Sequence, residues 1–174
     1  MTTPAVHLRP FTEDELWIFD RWVLEPGFSG EFEWLGFRSA AGFRQRFAES
    51  GLLGGERTDL VVADDDTPVG WMNWRVSPWL GPTSWEIGAL VFPEHRGRGV
   101  GTEAHRLVVD ELFANTPTER IWAGTEAENL AEQRVLERCG FVREGLMRRV
   151  HFRAGAWRDG CIYGLLRDDP RPGR

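Results

Sequence analysis

Residues 91–102 read Val91-Phe92-Pro93-Glu94-His95-Arg96-Gly97-Arg98-Gly99-Val100-Gly101-Thr102, and this stretch decides the fold. A strand over about 84–92 runs into it. A helix over about 99–114 runs out, with Val100, Ala104, Leu107, Val108 and Leu112 at helical spacing. Three glycines on alternate positions let backbone N–H groups approach a ligand with no Cβ in the way. The helix start adds free amides and the positive end of its dipole. Arg96 and Arg98 offer guanidinium donors to phosphate oxygens. A diphosphate is the natural occupant. A turn that only reversed the chain would explain the glycines, but not the arginines, strand and helix together.

Upstream, Val6-His7-Leu8-Arg9 reads as an opening strand. Thr12-Glu13-Asp14-Glu15 reads as a capping box whose helix carries Leu16, Phe19, Trp22 and Val23 on one face and ends at Pro26-Gly27. Phe28, Phe32, Trp34 and Phe37 follow in a glycine-punctuated segment. A second helix is predicted over about 40–50, closed by Gly51. Residues 59–63 and 69–76 read as strands around the turn Asp64-Asp65-Asp66-Thr67-Pro68, and a loop at 77–82 leads back to the glycine stretch. Trp71 and Trp74, three apart on one strand, face opposite sides, so one packs while the other is free to line a channel.

Downstream come a strand at 119–124, a helix at 129–139 stopped by Gly140, and strands at 141–152 and 157–166 joined by Arg153-Ala154-Gly155-Ala156. The order β-α-α-β-β-β-α-β-α-β-β gives one α/β domain over residues 1–174. Its sheet is mixed and mostly antiparallel, with a β-α-β crossover at the centre.

The 174 residues include 21 basic and 27 acidic side chains, a net charge of −6, and every basic residue is arginine. Without lysine there is no Walker A phosphate loop, no Schiff-base amine and no Ser-x-x-Lys nucleophile. The acidic balance argues against nucleic acid as a partner. Apolar runs such as 89–92 are far too short to span a bilayer, and residues 1–15 lack a signal peptide's basic start and apolar run. Cys139 and Cys161 make no disulfide framework, so the expectation is a cytoplasmic protein with no membrane partner. His7, His95, His105 and His151 fall in no metal-ligand spacing, and no metal is expected. Gly99-Val100-Gly101-Thr102-Glu103-Ala104 satisfies the dinucleotide pattern G-x-G-x-x-A. It begins halfway along the chain, however, with one β-α-β unit after it where that fold needs repeated units.

The run from Arg96 to Thr102 resembles the acetyl-CoA pyrophosphate loop of the GNAT N-acetyltransferases. Glu128-Asn129-Leu130-Ala131-Glu132-Gln133-Arg134-Val135-Leu136-Glu137-Arg138-Cys139-Gly140-Phe141 resembles that family's second CoA motif. Leu8-Arg9-Pro10-Phe11, Phe141-Val142-Arg143-Glu144-Gly145, Trp157-Arg158-Asp159 and Tyr163-Gly164-Leu165-Leu166-Arg167 are similar to the RimJ/RimL branch. The resemblance implies the single-domain GNAT fold, with a central strand pair that splays. In that gap the backbone of Leu90, Val91 and Phe92 would bind the cofactor arm. The amides of Arg96, Gly97, Arg98, Gly99, Val100, Gly101 and Thr102 would hold the pyrophosphate. Asn129 would contact the cofactor, although Asn129-x-x-Glu132 is also a capping box for its own helix. Acetyl-CoA is then the donor and CoA the product. Dimers are common in the branch, so a homodimer is the assembly it allows.

Amines are mostly protonated near neutral pH, so acyl transfer needs a base, an oxyanion donor and an acid for the leaving thiolate. With no lysine and no Ser/His/Asp order, direct attack by the amine is the simpler scheme. Glu86, charged within the buried run 85–91, is the expected base, and pairing with an arginine is the structural alternative. Seven positions after Asn129, where many family members carry a tyrosine, stands Leu136. Three positions after it, where RimL-like chains use a serine, stands Glu132, an acid only if its pKa is raised. A backbone N–H near Val91 suits the oxyanion, and Tyr163 reads as structural. The aromatic segment with Glu25, Glu31 and Glu33 stands where the family builds its acceptor flap. It suits a primary amine with a cationic or apolar body: a protein N-terminal α-amine, or a small amine such as an amino acid, polyamine or antibiotic. The competing reading is a non-catalytic acyl-CoA-binding or sensing module, favoured by the absence of both usual acids.

Overall fold

The computed structural model describes residues 5–34, 36–77, 80 and 83–172, so most of the expected 77–82 loop lies outside the described residues. Strands β1 (Val6–Arg9), β2 (Arg57–Asp64), β3 (Thr67–Val76), β4 (Ser84–Val91), β5 (Arg120–Glu126), β6 (Val142–Arg153) and β7 (Ala156–Leu166) form one sheet. Their spatial order is β1-β2-β3-β4-β5-β7-β6. Of the neighbouring strands only β4 and β5 pair parallel, with the α4 crossover between them; every other neighbouring pair is antiparallel. The β6–β7 hairpin closes on Ala154 (φ +51°) and Gly155 (φ +76°), both left-handed as a two-residue hairpin turn requires.

Among the described residues the α-helices are α1 (Trp17–Leu24), α2 (Pro26–Ser29), α3 (Ala41–Ser50), α4 (Val100–Asn115) and α5 (Leu130–Arg138). One sequence expectation needs correction. The Thr12 capping box opens a 3-10 turn, Glu13–Glu15, ahead of α1. There Glu15 accepts from the Thr12 amide at 2.9 Å and from Arg9 at 2.6 Å, and the Arg9 hydrogen bond holds its carboxyl below the ordinary value. α1 ends before Pro26 as expected, and Pro26 is also the first residue of α2. Its fixed φ suits that position, where the missing N–H would have had no partner. Gly51 (φ +63°) and Gly140 (φ +95°) close α3 and α5 in the left-handed conformation, as anticipated.

Strand alternation divides the core in two. Met72, Ile87, Val100, Ala104, Val108, Leu112, Ile121 and Leu136 form one cluster against α4 and α5. Phe19, Phe28, Val61, Trp71, Leu90 and Phe92 form the other, beneath α1 to α3. Trp71 and Trp74 do face opposite sides, but both are packed, Trp71 within the second cluster and Trp74 against the first.

The sheet is interrupted at its centre. β4 and β5 pair only at Ser84↔Arg120, Trp85↔Ile121 and Glu86↔Trp122. Beyond these, β4 stays on β3 as far as Val91, while β5 stays on β7 as far as Glu126. The expected splayed pair is therefore present, with two strand edges facing across a gap. Gly70, opposite Val91 at the mouth of this gap, has no room for a side chain: a Cβ there would fall on the Leu90 carbonyl oxygen, a backbone atom that cannot swing aside. Gly70→Ala is expected to cost about 2 kcal/mol by overpacking, read as a lower urea midpoint at unchanged slope.

Candidate active site

Hydrogen bonding alternates along a strand, so only every second residue of β4 can offer its backbone to the gap. The Phe92 amide donates to the Val69 carbonyl at 3.0 Å. Phe92 and, two residues back, Leu90 therefore point at β3, and Ile87, Ala89 and Val91 point at the gap. Of the three residues expected to bind a cofactor arm, Val91 alone faces the right way.

After β4 the chain makes a 3-10 turn, Pro93–His95, and reaches Arg96. Its guanidinium donates to the Val91 carbonyl at 3.0 Å and to the Phe28 carbonyl at 2.9 Å, and its amide donates to Pro93. Arg96 thus ties the loop to the strand end and to α2, and it also lines the adjoining cleft. Gly97 (φ +74°) and Gly99 (φ +88°) take left-handed conformations that a side chain would strain. The Glu103 amide donates to Gly99, so the amides of Val100, Gly101 and Thr102 precede the first bond of the α4 ladder. These donors lie at the positive end of a 16-residue helix.

The gap, the loop and α5 enclose a cleft of about 520 Å³, lined by Ala89 to Val91, the glycine loop, Glu31 to Glu33 and the exposed face of α5. Arg134 and Arg138, one turn apart on α5, both line it, whereas Arg98 does not. The sequence reading missed this pair of cations, for which the four-residue spacing was the available signal. An anionic diphosphate on an extended polar arm fits these donors: amides and guanidinium groups at one end, an unpaired strand edge along the side.

The chemistry-bearing side chains cluster past the gap. Asn129 caps α5 by accepting from the Glu132 amide at 3.2 Å, and its Nδ2 donates to Thr125 at 3.1 Å. The capping box is only half closed, because the Glu132 carboxylate turns to the fully buried His105, 3.1 Å from its Nε2. Glu86 receives two hydrogen bonds of 2.7 Å from Arg75, and the cleft lining begins three residues further on, at Ala89. Glu33 does line the cleft. Burial and the like charges of Glu132 and Glu126 push its carboxyl up to about 7. The residue as a whole is exposed, and the Arg38 guanidinium acts against the rise.

Two remaining groups are structural. Tyr163 is wholly buried, its hydroxyl near Gln133 at 3.2 Å and Glu137 at 3.1 Å, and burial pushes it up to about 12. Burial likewise pushes the Cys139 thiol up to about 12. Of the aromatic segment, Phe28 packs on Phe92 with ring centroids 4.9 Å apart, Phe32 lines the cleft, and Phe37 is exposed. Among the described residues no three His, Cys, Asp or Glu side chains are grouped to hold a metal.

Residues 6–142 match the family model described as an acetyltransferase (GNAT) domain. The probable N-acetyltransferase YjcK of Bacillus subtilis strain 168 is 41% identical over 111 residues, covering 63% of this chain and 61% of that protein. The match thus speaks for about three-fifths of the relative's length. Among solved structures, Mycobacterium smegmatis RimJ in complex with CoA-disulfide aligns with a TM-score of 0.75 at 25% identity, covering 92% of this chain and 81% of that one. The spermidine N-acetyltransferase of Vibrio cholerae in complex with CoA and spermine aligns at 0.78 with 20% identity, covering 94% and 96%, a likeness of fold.

A carboxyl that is harder to ionise in the folded chain than in the unfolded one weakens the fold as pH rises from its ordinary range through its folded value. For Glu33 that window runs from the ordinary carboxylate range to about 7. Glu33→Gln is therefore expected to melt with the wild type at pH 4 and above it at pH 8. An equal difference at both values would show that Glu33 titrates normally.

Proposed function

The chain belongs to the GNAT acetyltransferase family, and from that premise we propose that it is an acetyl-CoA-dependent N-acetyltransferase that moves an acetyl group directly to a primary amine. The observation that carries this reading is the parted β4–β5 ladder, whose open edge leads straight into the glycine loop and the unpaired amides of α4. Bound acetyl-CoA supplies the activated acetyl thioester. The backbone of Ala89 and Val91 would bind its arm. The amides from Gly97 to Thr102, with the Arg134 and Arg138 guanidinium groups, would hold its phosphates, and Asn129 would stand beside the arm. The relatives found are named as acetyltransferases, which lends no support to a non-catalytic acyl-CoA-binding module.

The chain's own groups divide the proton work. Glu33, in the cleft and raised toward neutrality, takes the proton that an incoming ammonium must lose. The Val91 amide, facing the gap, donates to the negative charge that develops on the acyl oxygen. Glu132 faces the same cleft as the acid. Glu31, Glu33 and Glu132 together attract a cationic acceptor, in keeping with a net charge of −6. Both cysteines are free and buried, which suits work in a reducing cytoplasm, and no described helix is long and apolar enough to cross a membrane.

Purified protein with acetyl-CoA and a panel of polyamine, aminoglycoside, amino acid and N-terminal peptide is expected to release free thiol with at least one cationic amine. Tight cofactor binding with no release from any of them would overturn the reading. Glu33→Gln is expected to lower kcat about 100-fold with cofactor affinity unchanged. A larger loss in Glu86→Gln would return the base to Glu86. Gly99→Val, which forces a branched side chain into a left-handed conformation, is expected to abolish CoA binding by calorimetry while the far-UV spectrum is retained.

A further inference from the structure

Glu132 lines the cleft at the acid's position, yet a carboxylate that stays ionised has no proton to give. The group behind it supplies one. His105 is fully buried on α4, and its Nδ1 lies 2.8 Å from the Gly101 carbonyl oxygen. That oxygen can only accept, so Nδ1 carries a hydrogen. Nε2 stands 3.1 Å from Glu132 Oε1 and has no well-aligned hydrogen-bond partner among the described residues. A neutral ring with its single hydrogen on Nδ1 would turn a lone pair on Nε2 toward the lone pairs of a carboxylate, out of reach of water, and that contact is repulsive. A proton on Nε2 makes it attractive.

We propose that His105 holds a proton on Nε2 against Glu132, and that this pair is the acid that protonates the leaving thiolate. The proposal rests on the acetyltransferase reading. Glu132, 27% exposed, is the member that meets the substrate; His105, wholly enclosed, is a positioning residue that acts through it. The balance is complete. The amine nitrogen bonds to the acyl carbon, and the carbon–sulfur bond breaks with its electron pair going to sulfur. Glu132 accepts the His105 proton and passes it to sulfur. The ammonium loses one proton before attack and the nitrogen loses a second once it has bonded to the acyl carbon. Glu33 passes each in turn to water, one proton from solvent restores the pair, and one proton is released per acetyl group transferred.

Glu132 acts on Glu33 across the cleft, and shares the cleft lining with Arg134 and Arg138 of α5. Together with Glu103, Arg106 and Asp110 of α4 it also acts on the neutral Cys139 thiol at the end of α5, which donates to the Thr102 carbonyl at 3.4 Å. Burial by itself would discharge His105. The Glu132 carboxylate and the Gly101 carbonyl together outweigh burial and raise the ring above its ordinary value.

The test begins with the cofactor-free wild-type protein, so it depends on neither turnover nor a folded variant. In long-range imidazole nitrogen NMR, His105 is expected as an imidazolium at pH 7, with its titration midpoint above that of an exposed histidine. In Glu132→Gln it is expected as the neutral Nδ1–H form. The pH profile supplies the second readout: wild-type kcat falls on the alkaline side as the pair loses its proton. Glu132→Gln, and His105→Asn, whose amide can keep the bond to Gly101, lower kcat about 100-fold and lose that limb. A neutral His105 in the wild type at pH 7, or an intact alkaline limb in Glu132→Gln, overturns the proposal. An imidazolium in a protein that releases no thiol with any amine overturns the acetyltransfer reading and leaves the proton-holding contact standing. A neutral ring in a protein that does release thiol does the reverse.

Discussion

A strand edge inside a protein must find partners for its N–H and C=O groups, and this sheet leaves one open on purpose of its topology. β4 and β5 are each held by an antiparallel neighbour on the outer side, so they can part after Glu86 and Trp122 while the sheet as a whole stays paired. The parting exposes backbone donors and acceptors without exposing the core, because α4 and α5 pack one cluster against one face and α1 to α3 pack another against the opposite face. A ligand with an extended polar arm can complete the ladder where a strand is missing. The glycine loop follows directly on β4, so its amides and those of α4 come to the end of the same gap.

Charge then sorts the cleft. In a chain whose only strong cation is arginine, most guanidinium groups near the site serve as struts. Arg96 joins the Val91 and Phe28 carbonyls, Arg75 holds Glu86, and Arg153 grips the buried Glu126 with bonds of 2.8 and 2.9 Å. Arg167 gathers the carbonyls of Phe113, Thr116 and Thr118 in and just after the last turn of α4. The planar fork of arginine suits such multidentate bonds better than an ammonium group does. Arg134 and Arg138 are the cations of α5 that face the cleft, and Glu33 and Glu132 face it without a guanidinium of this kind. The cleft therefore carries both signs of charge, guanidinium groups on α5 and carboxylates on α5 and on the segment after α2.

Much of this was legible from the residues alone. The glycines at 97 and 99, the stops at Gly51 and Gly140, the Ala154-Gly155 hairpin and the periodicity of α4 are set by neighbours a few positions away, so the element order and the place of the loop could be read off directly. Even local reading has a limit. Pro26 was legible as a break, but whether it would end one helix or begin the next depended on the docking of Phe28 against Phe92.

What the fold alone decided is which way each group points and what stands opposite it. Strand pairing aimed Val91 at the gap and turned Leu90 and Phe92 away; the Arg75 partnership took up Glu86; and α4 brought His105 to Glu132, far from it in sequence. The reason is physical. Backbone conformation is governed by contacts within a turn or two of the chain, whereas a side chain's ionisation and hydrogen bonding depend on burial and on charges that only tertiary packing brings near.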